Sequence, residues 1–569
     1  MQIPASLNAL LGRFFTVKIP LAFICGVIAH LGFAPYNYQW LTPLALMGLF
    51  ALLNSHAIYS PKQSSAQLPS LVSKELSFRC LSAKKQLQLG LSFGFGLFIT
   101  GLRWVHVSLD SYGGLPLPVT LSLMGLLALY LALFPALACY VYGQTKYKHS
   151  LFNAILFTSI WVISEYLRGI VLTGFPWLSL GYSQTSGLFS QAASVIGVSG
   201  LTAIICLLAT TTYYAIRYFD KLSVALFIVV FAGGLYTTSK DQLITQDEFV
   251  DLALVQGNIE QSAKWDGKAM WPTITKYMDL TREHFDSDVI IWPEAAMPAI
   301  ESWVTDYLKV MDSSASFNDS AIITGIIGRT AKAPTDTSSS TNAGSSPSTA
   351  THHYYNAIMT VGNDKNDHNL TGIYKANHTN RYYKHQLLPI GEFVPFEDLL
   401  RPLAPLFNLP MSSFQRGDWA QDNLVARGFK FAPALCYEIA FTDLVRANMK
   451  SDTNFLLTIS NDAWFGESIG PHQHMQIAQM RAIELGRPLI RVTNTGVTAV
   501  VNTNGEIVEQ LPQFKEAVLR TKVNVVTGET FYYRYGQTPV LILFFGLFLI
   551  TGTIGYLYQS ALKKITIEL

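Results

Sequence analysis

The chain has 569 residues, of which 50% are hydrophobic and 14% charged, and its formal net charge is +2. With a mean hydropathy of +0.27, that composition excludes an ordinary soluble globular protein, and the near-balanced charge leaves no basic surplus for nucleic acid. The cysteines, Cys25, Cys80, Cys139, Cys206 and Cys436, include no CxxC pair, so thiolate-held metal is not expected.

A membrane-spanning helix needs roughly 20 mostly apolar residues. In chain order, such stretches fall at 19–35, 40–56, 87–107, 115–142, 151–172, 189–214, 222–236 and 539–558, which predicts about eight spans. The first has no small-x-small cleavage site behind it and another span follows at once, so it reads as a retained helix rather than a signal peptide. Basic residues alternate with the spans. Arg13 and Lys18 precede the first; Lys62, Lys74, Arg79, Lys84 and Lys85 fill the second connection; Lys146 and Lys148, Arg217 and Lys221, and finally Lys563 and Lys564 follow. Positive loops stay in the cytoplasm, which puts both termini there and the long hydrophilic stretch outside. Within the fifth segment, Glu165 and Arg168 sit at i, i+3 on one helical face. They read equally as an interfacial pair at a span end or as functional charges facing a wet cavity.

From Phe249 to Thr530, short β-rich runs alternate with helical segments. Strands are predicted at 250–256, 288–292, 321–327, 356–361, 431–436, 455–460, 490–495 and 518–525, and helices at 273–286, 441–449 and 472–484. Continuous apolar runs such as Val289-Ile290-Ile291-Trp292 fit strands covered on both faces, and the alternation suggests a layered α/β domain. The Ser/Thr/Gly/Pro-rich run 335–353 reads as a surface insertion too polar to order itself. The expected division is a membrane domain 1–238, an outward-facing α/β domain 239–536, and a last span with its tail, 537–569.

Three local signals carry chemistry. Ile290-Ile291-Trp292-Pro293-Glu294 ends a strand and presents Glu294 beyond the sheet edge, where ligand sites of α/β folds gather, although an acid there can equally cap a helix. Lys384 and Glu392 flank a Pro/Gly-bent apolar segment; alone, that is a solvated lysine beside a turn. The run Phe431-Ala432-Pro433-Ala434-Leu435 ends in Cys436-Tyr437-Glu438, the one cysteine of the hydrophilic stretch, which is either inert packing or a nucleophile.

Taken in the order Glu294, Lys384, Cys436, and in the contexts WPE, YxKxxLxPxGExVP and CYE, these signals resemble the nitrilase (carbon–nitrogen hydrolase) superfamily. The resemblance extends through Val255-Gln256-Gly257-Asn258, Ser460-Asn461-Asp462-Ala463-Trp464-Phe465-Gly466, Arg481-Ala482-Ile483-Glu484 and Arg491-Val492-Thr493-Asn494-Thr495-Gly496. The apolar half adds Gly32-Phe33-Ala34-Pro35-Tyr36, Glu165-Tyr166-Leu167-Arg168-Gly169, Thr173-Gly174-Phe175-Pro176-Trp177 and Gly181-Tyr182-Ser183-Gln184, and Lys264-Trp265 follows. With these, the chain is similar to the apolipoprotein N-acyltransferase branch.

That resemblance implies an α-β-β-α sandwich carried outside the membrane by a polytopic helical bundle, a monomer without cofactor or metal in the bacterial inner membrane. It implies Cys436 as nucleophile, Glu294 as its base and Lys384 as the oxyanion's counter-charge. Glu392 would fix Lys384 and the base, and Tyr437 and Glu438 would line the site. Trp265 and Trp464 would be walls or gates for acyl chains, or equally ordinary core aromatics. A phospholipid, typically phosphatidylethanolamine, would acylate Cys436, and the α-amino group of a diacylglyceryl-cysteine at an apolipoprotein N-terminus would take the chain. His472 and His474 at i, i+2 do not share a helix face, which argues against a metal pair. The alternative is a membrane-anchored nitrilase-type amidase acting on a small amide.

Overall fold

The computed structural model describes residues 5–55, 82–237, 242–261, 264, 267–331, 352–362, 374–376, 378–389, 391–393 and 414–568. It divides into two compact units, one of Met1–His106, Leu117–Ser239 and Arg534–Leu569, the other of Val107–Pro116 and Lys240–Tyr533.

In the first unit a helix occupies each predicted apolar segment: α1 (Ala5–His30), α2 (Leu41–Asn54), α3 (Ala83–Gly101), α4 (Leu117–Thr145), α5 (Ser150–Arg168), α6 (Ala193–Tyr218), α7 (Lys221–Tyr236) and α12 (Thr538–Glu568). Among the described residues, four stretches, Leu117–Thr145, Ser150–Arg168, Ser190–Tyr218 and Thr538–Ala561, are long and apolar enough to cross a membrane. Val17–His30, Leu41–Asn54 and Lys221–Tyr236 are shorter apolar helices.

The fifth and sixth segments end earlier and start later than predicted, because a folded loop lies between them. Gly174 has φ +81°, and a Cβ there would come 1.9 Å from Gly169 O, so only glycine permits the turn. Both charges of α5 bond to this loop, and Glu165 also to its flanking helices. Glu165 accepts from Trp161 Nε1 (3.2 Å), Leu180 N (3.0 Å) and Thr202 Oγ1 (2.8 Å). Arg168, 2% exposed, donates to Phe175 O (2.8 Å), Trp177 O (2.5 Å) and Ser179 Oγ (3.0 Å) and lies over the Phe98 ring. These bonds hold the loop against α5 and α6. Arg168→Met strands buried carbonyls and is expected to cost about 3 kcal/mol, read as a lower melting temperature in detergent; an unchanged melt would mean the loop holds without the guanidinium.

The second unit contains strands β1 (Ile244–Gln256), β2 (Val289–Ile291), β3 (Ala321–Ala331), β4 (His352–Gly362), β5 (Arg381–Tyr383), β6 (Leu424–Ala426), β7 (Phe429–Leu435), β8 (Phe455–Ser460), β9 (Leu489–Thr493), β10 (Ala499–Val501), β11 (Ile507–Gln510) and β12 (Ala517–Thr527). Its longer helices are α8 (Met270–Arg282), α9 (Thr305–Phe317), α10 (Thr442–Asn448) and α11 (Gly470–Leu485). The strands form two 6-stranded sheets, ordered β12-β1-β2-β3-β4-β5 and β11-β10-β9-β8-β7-β6. Strand alternation explains the layers. Leu252, Leu254, Val289 and Ile291 of the first sheet pack against Phe431, Leu435, Leu457 and Val492 of the second. Ala253, Val255 and Ile290 point the other way, onto Ile274 and Tyr277 of α8 and Leu308 and Met311 of α9. Helices α10 and α11 pack on β7 and β9, completing an α-β-β-α sandwich.

Of the run 335–353, residues 335–351 lie outside the described residues. His352 and His353, expected in the insertion, instead pair in register with Ala331 and Thr330, because ladder hydrogen bonds satisfy backbone that composition alone would leave as loop. Strand β7 ends at Leu435, one residue short of the prediction, and that difference shapes the site.

Candidate active site

The ends of β2, β5, β7 and β8 bring the predicted residues together. Glu294 lies on the turn after β2, 7% exposed. Its Oε1 accepts from Asn356 Nδ2 (2.8 Å) and stands 3.7 Å from Lys384 Nζ, while Oε2 accepts from the Asn461 backbone N–H (2.8 Å). Gly325 on β3 lets this turn approach: a Cβ there would meet Ala295 N at 2.6 Å and Glu294 Cα at 2.9 Å.

Lys384 follows β5 and is 1% exposed. Its Nζ donates to Glu392 Oε1 (2.9 Å), and Asn356 Nδ2 bridges that same oxygen at 2.8 Å, tying both carboxylates and the ammonium into one cluster. Glu392 Oε2 accepts from Leu388 N (2.8 Å), so the bent segment holds its own acid in place. Burial opposes the charge of Lys384, yet Glu392 and then Glu294 outweigh it and hold its pKa well above the usual lysine range.

Cys436 begins a 3₁₀ turn, Cys436–Ala440, and its φ of +57° puts a non-glycine residue in the left-handed region. That kink stops β7 at Leu435 and leaves Cys436 a partly buried residue just beyond the strand's end. Burial, and then the Glu294 charge, push the thiol far above its ordinary pKa, with Lys384 opposing. The resting sulfur is a neutral thiol.

Beneath it lies a polar network. Ser460 Oγ is 3.3 Å from Cys436 Sγ and 2.6 Å from Asp462 Oδ1. Arg491 Nη2 donates to Asp462 Oδ2 (2.7 Å) in a fully buried pair, and His474 Nδ1 lies 3.1 Å from Asp462 Oδ1. Burial works against the Asp462 charge, but the Arg491 guanidinium holds its pKa well below the usual carboxylate range. His474 Nε2 lies 3.1 Å from Cys436 O and donates to it, while Nδ1 accepts from Arg491 Nη2 at 3.0 Å. Burial and the Arg491 charge lower the His474 pKa, which fits this neutral tautomer.

Glu438 departs from expectation: it does not line the site. It is fully buried, and its carboxylate accepts from Tyr382 OH (3.0 Å), His385 N (2.7 Å), Gln386 N (3.0 Å) and Leu435 N (2.7 Å). It staples the Lys384 segment to the Cys436 turn from behind. Burial raises its pKa to about 7 against the pull of Lys384 and these N–H groups. Tyr437, 5% exposed, packs edge-on against Phe441 at 5.0 Å. Trp464 is half-buried in the turn Asp462–Phe465, and its carbonyl accepts from Ser108 Oγ (2.7 Å). Trp265 lies outside the described residues.

Sequence reasoning assigned no role to Asn356, Ser460, Asp462, His474, Arg491 or Lys264. Lys264, 1% exposed, donates from Nζ to Glu294 O (3.0 Å), and burial lowers its pKa to about 8 while Glu294 and Cys436 pull it upward. A polar residue opening or closing an apolar strand, as Asn356 does before Ala357-Ile358-Met359 and Ser460 after Leu457-Thr458-Ile459, was the available signal.

Residues 251–532 match the family model for carbon-nitrogen hydrolases, and residues 25–211 match the model of the apolipoprotein N-acyltransferase N-terminal domain. The chain is 46% identical over 541 residues to an apolipoprotein N-acyltransferase of Shewanella oneidensis, covering 95% of this chain and 96% of that one. It is 44% identical over 543 residues to one of Vibrio cholerae (95% and 97% covered) and 37% identical over 543 residues to one of Haemophilus influenzae (94% and 94%). Identity at that level runs through both the helical and the two-sheet units, and the chain belongs to the apolipoprotein N-acyltransferase family, acyltransferases of lipoprotein biosynthesis built on a carbon-nitrogen hydrolase domain.

Proposed function

We propose that this enzyme moves an acyl chain from a phospholipid to the α-amino group of an apolipoprotein's N-terminal diacylglyceryl-cysteine, through a thioester on Cys436. The observation that carries the reading is the convergence of Glu294, Lys384 and Cys436 at neighbouring strand ends, with Lys384 clamped between two carboxylates. The resting thiol is neutral, so Glu294 first takes its proton, and the thiolate formed beside it attacks the ester carbonyl. Lys384 offsets the oxyanion's charge. Collapse breaks the ester C–O bond, Glu294 returns the proton to the departing lysophospholipid oxygen, and the thioester remains. The amine then attacks, its proton passes to Glu294, and the thiolate leaves and recovers it.

Glu392 and Glu438 act as supports, and Trp464 and Trp265 as acyl-chain walls. In this reading the apolar helices make about eight spans, in a membrane domain 1–238 and a final span within 537–569. The alternation of Lys and Arg among the connections supports both termini in the cytoplasm and the catalytic domain 239–536 on the periplasmic side of the inner membrane. Both substrates are amphiphiles of the facing leaflet, so a tethered site meets them at high effective concentration. Phosphatidylethanolamine is the donor proposed, and the working unit is a monomer without cofactor.

The test incubates the detergent-purified chain with phospholipid alone and then with a diacylated lipopeptide. Mass spectrometry should find an acyl group on the Cys436 peptide first and on the peptide amine second. Release of ammonia from small amides, with the lipopeptide left unacylated, would favour the amidase instead.

A further inference from the structure

Ser460 is the last residue of β8, and its hydroxyl is wholly buried between the sulfur of Cys436 and the carboxylate of Asp462. A serine has one hydroxyl proton, so it cannot donate at 3.3 Å to Sγ and at 2.6 Å to Oδ1 together. A thiol or thioester sulfur is a weak acceptor, and a thiolate is a charged one. Asp462 does not depend on Ser460 for its charge, since the buried Arg491 guanidinium faces it at 2.7 Å.

We propose that Ser460 is a catalytic residue whose O–H rests on Asp462 while Cys436 is a thiol or thioester, and turns to Sγ whenever the sulfur becomes a thiolate. No bond to Ser460 forms or breaks; only its O–H rotates. The thiolate arises when Glu294 has taken the proton and again when the amine expels the sulfur, so both half-reactions gain. Among the other charged groups facing the sulfur, Glu294 and Asp462 repel a thiolate, while Lys384 and Lys264 attract it from positions set by Glu392 and the Glu294 carbonyl. His474 is committed to the Cys436 carbonyl, which keeps the left-handed turn, and hence Sγ, within reach of Ser460. The burial that raises the thiol pKa makes each added donor to the thiolate count.

This inference rests on Cys436 being the nucleophile, and the experiment separates the two. The full chain in detergent is compared with Ser460→Ala and Ser460→Thr at one fixed pH. Three rates are read: iodoacetamide alkylation of the Cys436 peptide, acylation by phospholipid alone, and transfer to a diacylated lipopeptide. Ser460→Ala should slow all three by roughly 10- to 100-fold, and Ser460→Thr, which keeps the hydroxyl, should stay within about threefold. If Ser460→Ala does not accumulate folded, Ser460→Gly carries the same comparison. Alkylation at the wild-type rate in the variant lacking the hydroxyl, whether or not transfer is lost, overturns the proposal. Transfer that survives Cys436→Ala overturns the nucleophile reading instead.

Discussion

Cys436→Ala is expected to abolish acyl transfer, lowering the rate by on the order of 10⁵-fold or more, and to leave no acyl group on the protein. Alanine keeps the left-handed turn, whose φ of +57° is already imposed on a residue with a Cβ, and removes only one sulfur atom from a partly buried residue. The melting temperature in detergent should therefore stay close to that of the wild type, so lost activity reads as lost chemistry. Cys436→Ser should do little better. The proposed base, the Glu294 carboxylate, is a weak match for a hydroxyl proton, and the same burial that raises the thiol pKa penalises an alkoxide more. Trace thiol-free turnover on the order of 10³- to 10⁴-fold below wild type is the ceiling expected. The readout is the acylated Cys436 peptide together with N-acylated lipopeptide, and full transfer by either variant would remove the thioester from the mechanism.

Lys384→Met is expected to fail twice. Catalytically, it strips the counter-charge from the oxyanion, a loss of roughly 10²- to 10³-fold. Structurally, it leaves Glu294 and Glu392 facing each other through Asn356 Nδ2 with no cation between them. Breaking a buried ion pair from one side costs about 3–5 kcal/mol, and these side chains are 2%, 9% and 12% exposed. The sign with pH follows. The folded pKa of Lys384 is raised, so its stabilisation is fully present below the unfolded lysine value, throughout neutral pH, and is lost only as pH climbs through the folded one. In Lys384→Met the deficit should therefore be full at neutral pH and narrow only as pH climbs above the ordinary lysine value of about 10. Melting curves of both proteins across that range test this; a deficit independent of pH would place the cost in packing instead.

Much of this molecule was legible in one dimension. Apolar runs located the helices because each must bury its own length, and strands such as Phe455–Ser460 matched to the residue because their two faces are both covered. The short strands Arg381–Tyr383, Leu424–Ala426 and Ala499–Val501 were missed, having too few residues to show a period and depending on a neighbour for their pairing. Helix α9 was missed because Leu308, Met311 and Ala315 form a stripe narrow enough to be hidden among polar residues. Glu438 was misjudged for another reason. Its place beside the thiol in sequence suggested a lining residue, but the turn at Cys436 reverses the chain and sends that carboxylate inward.

What the sequence determined by itself was the apolar segmentation, the strand–helix alternation, and the identity and order of Glu294, Lys384 and Cys436, because each is a local pattern or a short motif. What only the tertiary structure decided was how those groups are held. Asn356 between two acids, Arg491 and His474 on Asp462, and Ser460 under the sulfur come from separate strands and helices. Their partnership arises from sheet register and burial, where a polar group must find a donor or acceptor across the fold, and no spacing along the chain records that requirement.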